Sequence, residues 1–136
     1  MKVTEKSKSS FQLKQVNLRR SEFRMETSIQ STGEYGILIE TNRKRYGKND
    51  RTLECTLSVT LQFKKEIPLH ISVTMAGQFY ITGEMDFSVN EFLDINAPSI
   101  IYPYIRQHIR TLSLEAGIKP IILPVLNFVT LKKNNN

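Results

Sequence analysis

Residues 53–63 read Leu-Glu-Cys-Thr-Leu-Ser-Val-Thr-Leu-Gln-Phe, and the fold is decided there. Leu53, Cys55, Leu57, Val59, Leu61 and Phe63 are apolar, whereas Thr52, Glu54, Thr56, Ser58, Thr60, Gln62 and Lys64 are polar. Successive side chains of an extended chain point to opposite faces, so this alternation predicts a strand with one buried and one wet face. Working downstream, Leu69, Ile71, Val73, Met75, Phe79 and Ile81 also keep to odd positions, with Gly77 interrupting the series. That predicts a second long strand, bent or bulged at the glycine. The segment Lys64-Lys-Glu-Ile-Pro68 joins the two as a hairpin. Upstream, the apolar phase shifts from Phe11 and Leu13 to Val16 and Leu18, then back to Phe23 and Met25, as a bulged strand would read. Tyr35, Ile37 and Ile39 alternate after Gly33. Four strands joined by short connections predict an antiparallel sheet, either a meander or a Greek key.

The period then changes from two residues to that of a helix. Ser88-Val-Asn-Glu91 has the capping-box spacing and opens a short helical turn to about Asp94. Asn96-Ala-Pro-Ser99 opens the main helix, because proline is favoured in a first turn. Pro103 must lie near that turn or kink the helix. Ile100, Ile101, Tyr104, Ile105, His108, Ile109 and Leu112 form its apolar stripe, and Gly117 is its stop. The chain is therefore read as α+β: a four-stranded antiparallel sheet, a long C-terminal helix and an apolar crossover loop. The ordered domain is expected over residues 11–131, with flexible tails at 1–10 and 132–136.

Composition narrows the function classes. The length of 136 residues fits one core, and 40% apolar content excludes a wholly disordered chain. Cys55 is the single cysteine, so no internal disulfide forms, and it sits on the apolar side of a strand, buried and inert. His70 and His108 are the only histidines and lack metal-binding spacing; no metal and no cofactor are expected. No nucleophile or carboxylate is spaced with either histidine, and Glu84/Asp86 read as solvated, so the chain is not expected to be an enzyme. The polar N-terminus has no signal-peptide core and no apolar run is long enough to span a membrane; a cytoplasmic protein is expected. Lys and Arg total 19 against 13 Asp and Glu, a balance of +6. Arg43, Lys44, Arg45, Lys48 and Arg51 concentrate that charge around Gly47 and Asn49, at an exposed hairpin tip that includes Tyr46. A basic nucleic-acid-binding β-domain is the alternative reading of that cluster.

The stretch after Gly117 departs from ordinary loop composition. It reads Ile118-Lys-Pro-Ile-Ile-Leu-Pro-Val-Leu-Asn-Phe128. Pro120 and Pro124 forbid a regular helix, yet the residues between and after them are apolar. Connections usually run polar over the surface. An apolar segment stiffened by proline suits capture of another chain's apolar side chains, since prolines reduce the ordering cost of binding. The alternative is that these side chains pack under their own sheet.

Three passages resemble the SecB export-chaperone family. The helix opening Asn96-Ala-Pro-Ser-Ile-Ile-Tyr-Pro-Tyr-Ile-Arg106 is similar to the family's, the Gly117–Pro120 turn closes that helix in the same way, and Leu123-Pro-Val-Leu-Asn-Phe128 resembles the family's Pro-Val-Asn-Phe segment with Leu126 as one extra residue. The resemblance spans residues 11–131. It implies an ATP-independent holdase that pairs into dimers and tetramers and binds unfolded polypeptides in apolar grooves. On that reading Ile118, Ile121, Ile122, Leu123, Val125, Leu126 and Phe128 bind clients, and Ile101, Tyr104, Ile105, His108 and Leu112 form the oligomer interface. Family members dock on the translocase motor SecA through acidic sheet residues and a C-terminal helix. This chain departs from that pattern: it is basic, Val129 stands in the acidic place after Asn-Phe, and the sequence closes Val-Thr-Leu-Lys-Lys-Asn-Asn-Asn. SecB-like chaperones that guard an antitoxin form the other branch the resemblance implies.

Overall fold

The computed structural model describes residues 1–4, 10–83 and 88–134. Strands β1 (Phe11–Met25), β2 (Tyr35–Tyr46), β3 (Thr52–Phe63) and β4 (Leu69–Ile81) form one sheet in the order β1-β4-β3-β2, with every neighbouring pair antiparallel. The order resolves the meander-or-Greek-key choice in favour of the Greek key. β1 and β2 are consecutive in sequence yet occupy opposite edges, so residues 26–34 carry the chain from one side of the sheet to the other.

The alternation at 53–63 acts as expected. Leu53, Cys55, Leu57 and Val59 are wholly buried, as are Ile71 and Val73 on β4. β1 does contain bulges, with register shifts between Leu13 and Gln15 and between Leu18 and Arg20. The expected bulge at Gly77 is absent. β4 runs in unbroken register there, and the glycine instead permits close approach of a helix. A Cβ at Gly77 would lie 2.9 Å from the Cδ1 of Ile101.

The main helix packs on the inner sheet face, and the short helices before and after it gather on the turn that leads into it. Ser88 caps α1 (Val89–Glu91) by accepting the Glu91 N–H at 3.4 Å. A wider turn, Phe92–Asn96, follows and leads directly into α2 (Ala97–Glu115). In that wider turn the Ala97 N–H reaches back five residues to the Phe92 carbonyl, just before Pro98, which has no N–H to offer. α2 also runs through Pro103, deeper in the helix than the first-turn rule favours; Pro103 is exposed, so solvent reaches the carbonyl it leaves unpaired. Ile101, Ile105 and Ile109 are wholly buried between α2 and the sheet. Phe92 stacks on Phe11 with ring centroids 3.9 Å apart and meets Phe79 edge-on at 5.1 Å. Gly117 ends the helix at φ 73°, where an L side chain would be strained.

The C-terminus corrects the expected tail. Residues Phe128–Asn134 form a third helix, α3, so Lys132–Asn134 belong to a regular element. Asn127 begins it, its Oδ1 accepting the N–H groups of Val129 at 3.0 Å and Thr130 at 3.2 Å. Phe128 and Leu131, three apart, turn inward. Of the expected N-terminal tail, residues 5–9 lie outside the described residues, and so does the Glu84/Asp86 pair.

Candidate functional site

The segment between α2 and α3 is fastened to α2 along its length. Ser113, wholly buried, accepts the Ile121 N–H at 3.0 Å and donates to the Arg110 carbonyl at 2.7 Å. Arg106 Nε donates to the Leu123 carbonyl at 3.0 Å, and the Tyr102 hydroxyl donates to the Pro124 carbonyl at 2.6 Å. Lys119 N–H bonds the Gln30 carbonyl at 2.9 Å, tying the segment to the β1–β2 connection. Burial pushes the Tyr102 phenol up to about 12, so it stays a neutral donor throughout the physiological range.

This fastening sorts the apolar side chains. Ile118, Ile121, Leu123 and Phe128 are buried in the chain's own core, and Leu126 is half-buried against it. These four buried residues are corrected from surface to core: the sheet and helix already cover them. Ile122 is 64% exposed and Val125 83% exposed. The reachable part of the expected client surface is therefore Ile122 and Val125, edged by Leu126. Beside Ile122, a hollow of about 210 Å³ is bounded by Pro103, Arg106, Gln107, Arg110 and Leu123.

The expected oligomer stripe divides in the same way. Ile101 and Ile105 are wholly buried against the sheet, so they serve the protomer and are withdrawn from the interface. Leu112 is half-buried. His108 is half-buried, with Nε2 2.8 Å from the Ser21 hydroxyl of β1. Tyr104 is 49% exposed, and Ile100, Leu13 and Leu18 are exposed too. Leu13 and Leu18 pair with Phe79 and Met75, which places them on the inner face of an edge strand. The shifted alternation in β1 holds the signal for them, but only the sheet order makes β1 an edge.

A larger cleft, about 300 Å³, lies between edge strand β2 and α3, lined by Ile39, Thr41, Arg43, Asp94, Phe128, Leu131 and Lys132. Asp94 closes one end, bonded to Arg43 Nη1 at 2.7 Å and to Lys132 Nζ at 3.2 Å. Sequence reasoning missed this cleft because it depends on α3. The pleat also divides the basic hairpin cluster. Arg43 turns inward to Asp94, Arg45 bonds the Asp50 carbonyl, and Arg51 bonds the carbonyls of Ile81 and Gly83. Lys44 and Tyr46 lie on the outer face, opposite Glu54 and Thr52. Burial, then the Asp94 charge, raises the Cys55 thiol to about 12, which removes its nucleophilic thiolate at neutral pH.

The architecture is that of an α+β protein on a Greek-key sheet, with helices on one face and a fastened apolar segment between the last two. The family model described as preprotein translocase subunit SecB matches residues 5–136, and the chain belongs to the SecB family. An uncharacterized protein of Methanocaldococcus jannaschii is 34% identical over 66% of this chain and 61% of its own length. The protein-export protein SecB of Saccharophagus degradans is 29% identical over 76% of this chain and 62% of its own. That of Albidiferax ferrireducens is 26% identical over 93% of this chain and 84% of its own. The matched region thus spans about three-fifths of the length of the first two relatives. Among solved structures, a SecB-like chaperone of Mycobacterium tuberculosis, in complex with an antitoxin peptide, shares the fold with a TM-score of 0.70. It is 14% identical, and the overlap covers 86% of this chain and 88% of that one.

Proposed function

We propose that this chain is an ATP-independent chaperone that holds unfolded or unstable polypeptides and performs no catalysis. The observation that carries the reading is the exposure of Ile122 and Val125 on a backbone held by three side-chain hydrogen bonds from α2. Apolar side chains left to themselves collapse inward. These cannot, because their neighbours Ile121 and Leu123 already fill the inward positions. A client side chain docking there meets a rigid surface, so little conformational entropy is lost on the chaperone's side. The β2–α3 cleft, where Ile39 and Leu131 are half-buried, offers a second foothold for the same extended client. Several weak contacts, repeated across copies, raise avidity without tight local binding.

Tyr104, Ile100 and Leu18 are the residues through which a second copy would pack, giving a homodimer or tetramer. Clients are export precursors or a dedicated unstable partner. The antitoxin peptide bound by the Mycobacterium tuberculosis relative supports the second kind. Family membership supports docking to a SecA-type translocase, and a cytoplasmic setting follows from such clients.

Dilution of a chemically denatured, aggregation-prone protein into buffer containing the chain tests the reading by light scattering. Wild type is expected to suppress scattering, with little loss at high salt because apolar capture does not depend on charge. The double variant Ile122→Asp/Val125→Asp is expected to lose most of the effect while keeping its fold. Unsuppressed aggregation with wild type would overturn the function, and full activity in the double variant would overturn the site.

A further inference from the structure

The outer face of the sheet carries no helix, and one end of it has features that polypeptide holding does not use. Tyr46 lies opposite Thr52, and Thr52 lies opposite Tyr80, so both tyrosines share one rung and one face. Neighbouring strands are about 4.8 Å apart, which sets the two residues roughly 10 Å from each other. The next rung carries Lys44, Glu54 and Gln78. The first bulge of β1 brings Lys14 beside that rung. Lys14 Nζ stands 5.1 Å from the Tyr80 ring centroid and Lys44 Nζ stands 5.0 Å from that of Tyr46. Gln78 holds the Tyr46 hydroxyl at 3.3 Å. Glu54 is the one carboxylate in these two rungs, and Arg19 engages it at 3.4 Å. Lys14 and Lys44 make no ion pair among the described residues.

We propose that the Tyr46–Tyr80 end of the outer sheet face binds single-stranded nucleic acid, without sequence preference. Each tyrosine ring is a stacking platform for one base, and Lys14 and Lys44 move from the rings to the flanking phosphates. Tyr80 is exposed and Tyr46 half-buried on this face; stacking of bases on aromatic rings of an open sheet face, combined with a backbone-tracking positive charge, is the physical basis of such binding. An acidic peptide would use the two ammonium groups but leave both rings without a function. A duplex keeps its bases stacked on each other and cannot reach the rings. The chain's balance of +6 draws a polyanion toward the face. This surface lies on the opposite side of the sheet from Ile122, so it is separable from the polypeptide-holding reading.

Fluorescence anisotropy with a labelled oligothymidylate of about 20 nucleotides tests this at low and rising salt. Wild type is expected to bind with an affinity that falls as salt rises. Tyr46→Leu and Tyr80→Leu, which preserve charge, are each expected to weaken binding roughly tenfold. Lys14→Gln and Lys44→Gln are each expected to flatten the salt slope by roughly one ion. Ile122→Asp is expected to bind like wild type, and thermal melts verify that every variant is folded. Three results would overturn the proposal: no binding at low salt, unchanged binding by both tyrosine variants, or displacement of the oligonucleotide by polyglutamate as effectively as by unlabelled oligothymidylate.

Discussion

Strand β3 and the segment 118–128 both turn some side chains inward and others outward, but they put different chemistry outside. On β3 the outward positions are Thr52, Glu54, Thr56, Ser58 and Thr60, all polar, and the inward ones are apolar. In the 118–128 segment Ile121 and Leu123 turn inward, while Ile122 and Val125 turn outward and are apolar as well. The pleat alone sorts β3. Hydrogen bonds from Ser113, Arg106 and Tyr102 sort the loop. An outward polar residue needs only water, whereas the outward apolar pair Ile122 and Val125 stays exposed because the fastened backbone and the inward Ile121 and Leu123 leave it nowhere to turn.

Substitutions that place the same charge in the two regions give the widest separation. Leu57→Asp buries an unpaired carboxylate at a wholly buried site and is expected to cost several kcal/mol, enough to unfold the domain in a chemical denaturation experiment. Ile122→Asp is expected to leave the midpoint within about 0.5 kcal/mol of wild type while lowering client holding. A large stability loss at Ile122 would mean that the loop is ordinary core. Gly77→Ala tests how tightly α2 sits on the sheet: the added carbon meets Ile101 at 2.9 Å, and a loss of about 1–3 kcal/mol is expected from overpacking. Ser113→Ala leaves the buried Ile121 N–H unpaired, with an expected loss of about 1–3 kcal/mol.

Tyr102→Phe removes one hydrogen bond to an exposed residue, expected at about 1 kcal/mol at neutral pH. Its clearer signature lies in alkali. The folded phenol titrates at about 12 against an ordinary 10.0, so folding favours the protonated form. That contribution is full below pH 10 and is lost as pH rises through 12. Tyr102→Phe should therefore flatten part of the decline in stability over that window. The Cys55 thiol, also raised to about 12, and the Tyr35 phenol, raised by burial, add to the same alkaline decline. An alkaline profile identical to wild type would mean that Tyr102 does not hold the loop.

Much of the architecture was legible because period-two and helical spacing are local properties. The strand at 53–63, the bulges in β1, the capping serine at 88 and the stop at Gly117 all follow from residues close in sequence. α3 was missed although Asn127 and the Phe128–Leu131 spacing were present, because a helix so short draws its stability from docking rather than from propensity. Gly77 was misread for a related reason. A missing side chain in a strand signals either a bulge or a close neighbour, and the neighbour is Ile101, far away in sequence.

The residues by themselves determined the four strands, the main helix and the presence of an apolar, proline-stiffened segment, since each of these is written in spacing and composition; the family came from the likeness of three motifs. Only the tertiary structure decided which of that segment's side chains are reachable, because bonds from α2 set the direction in which Ile122 and Val125 face. It also decided that β1 and β2 are edges, that Ile101 and Ile105 belong to the protomer's core, and that Tyr46 and Tyr80 share a rung. Those outcomes arise from contacts between segments distant in the chain, and no local pattern encodes them.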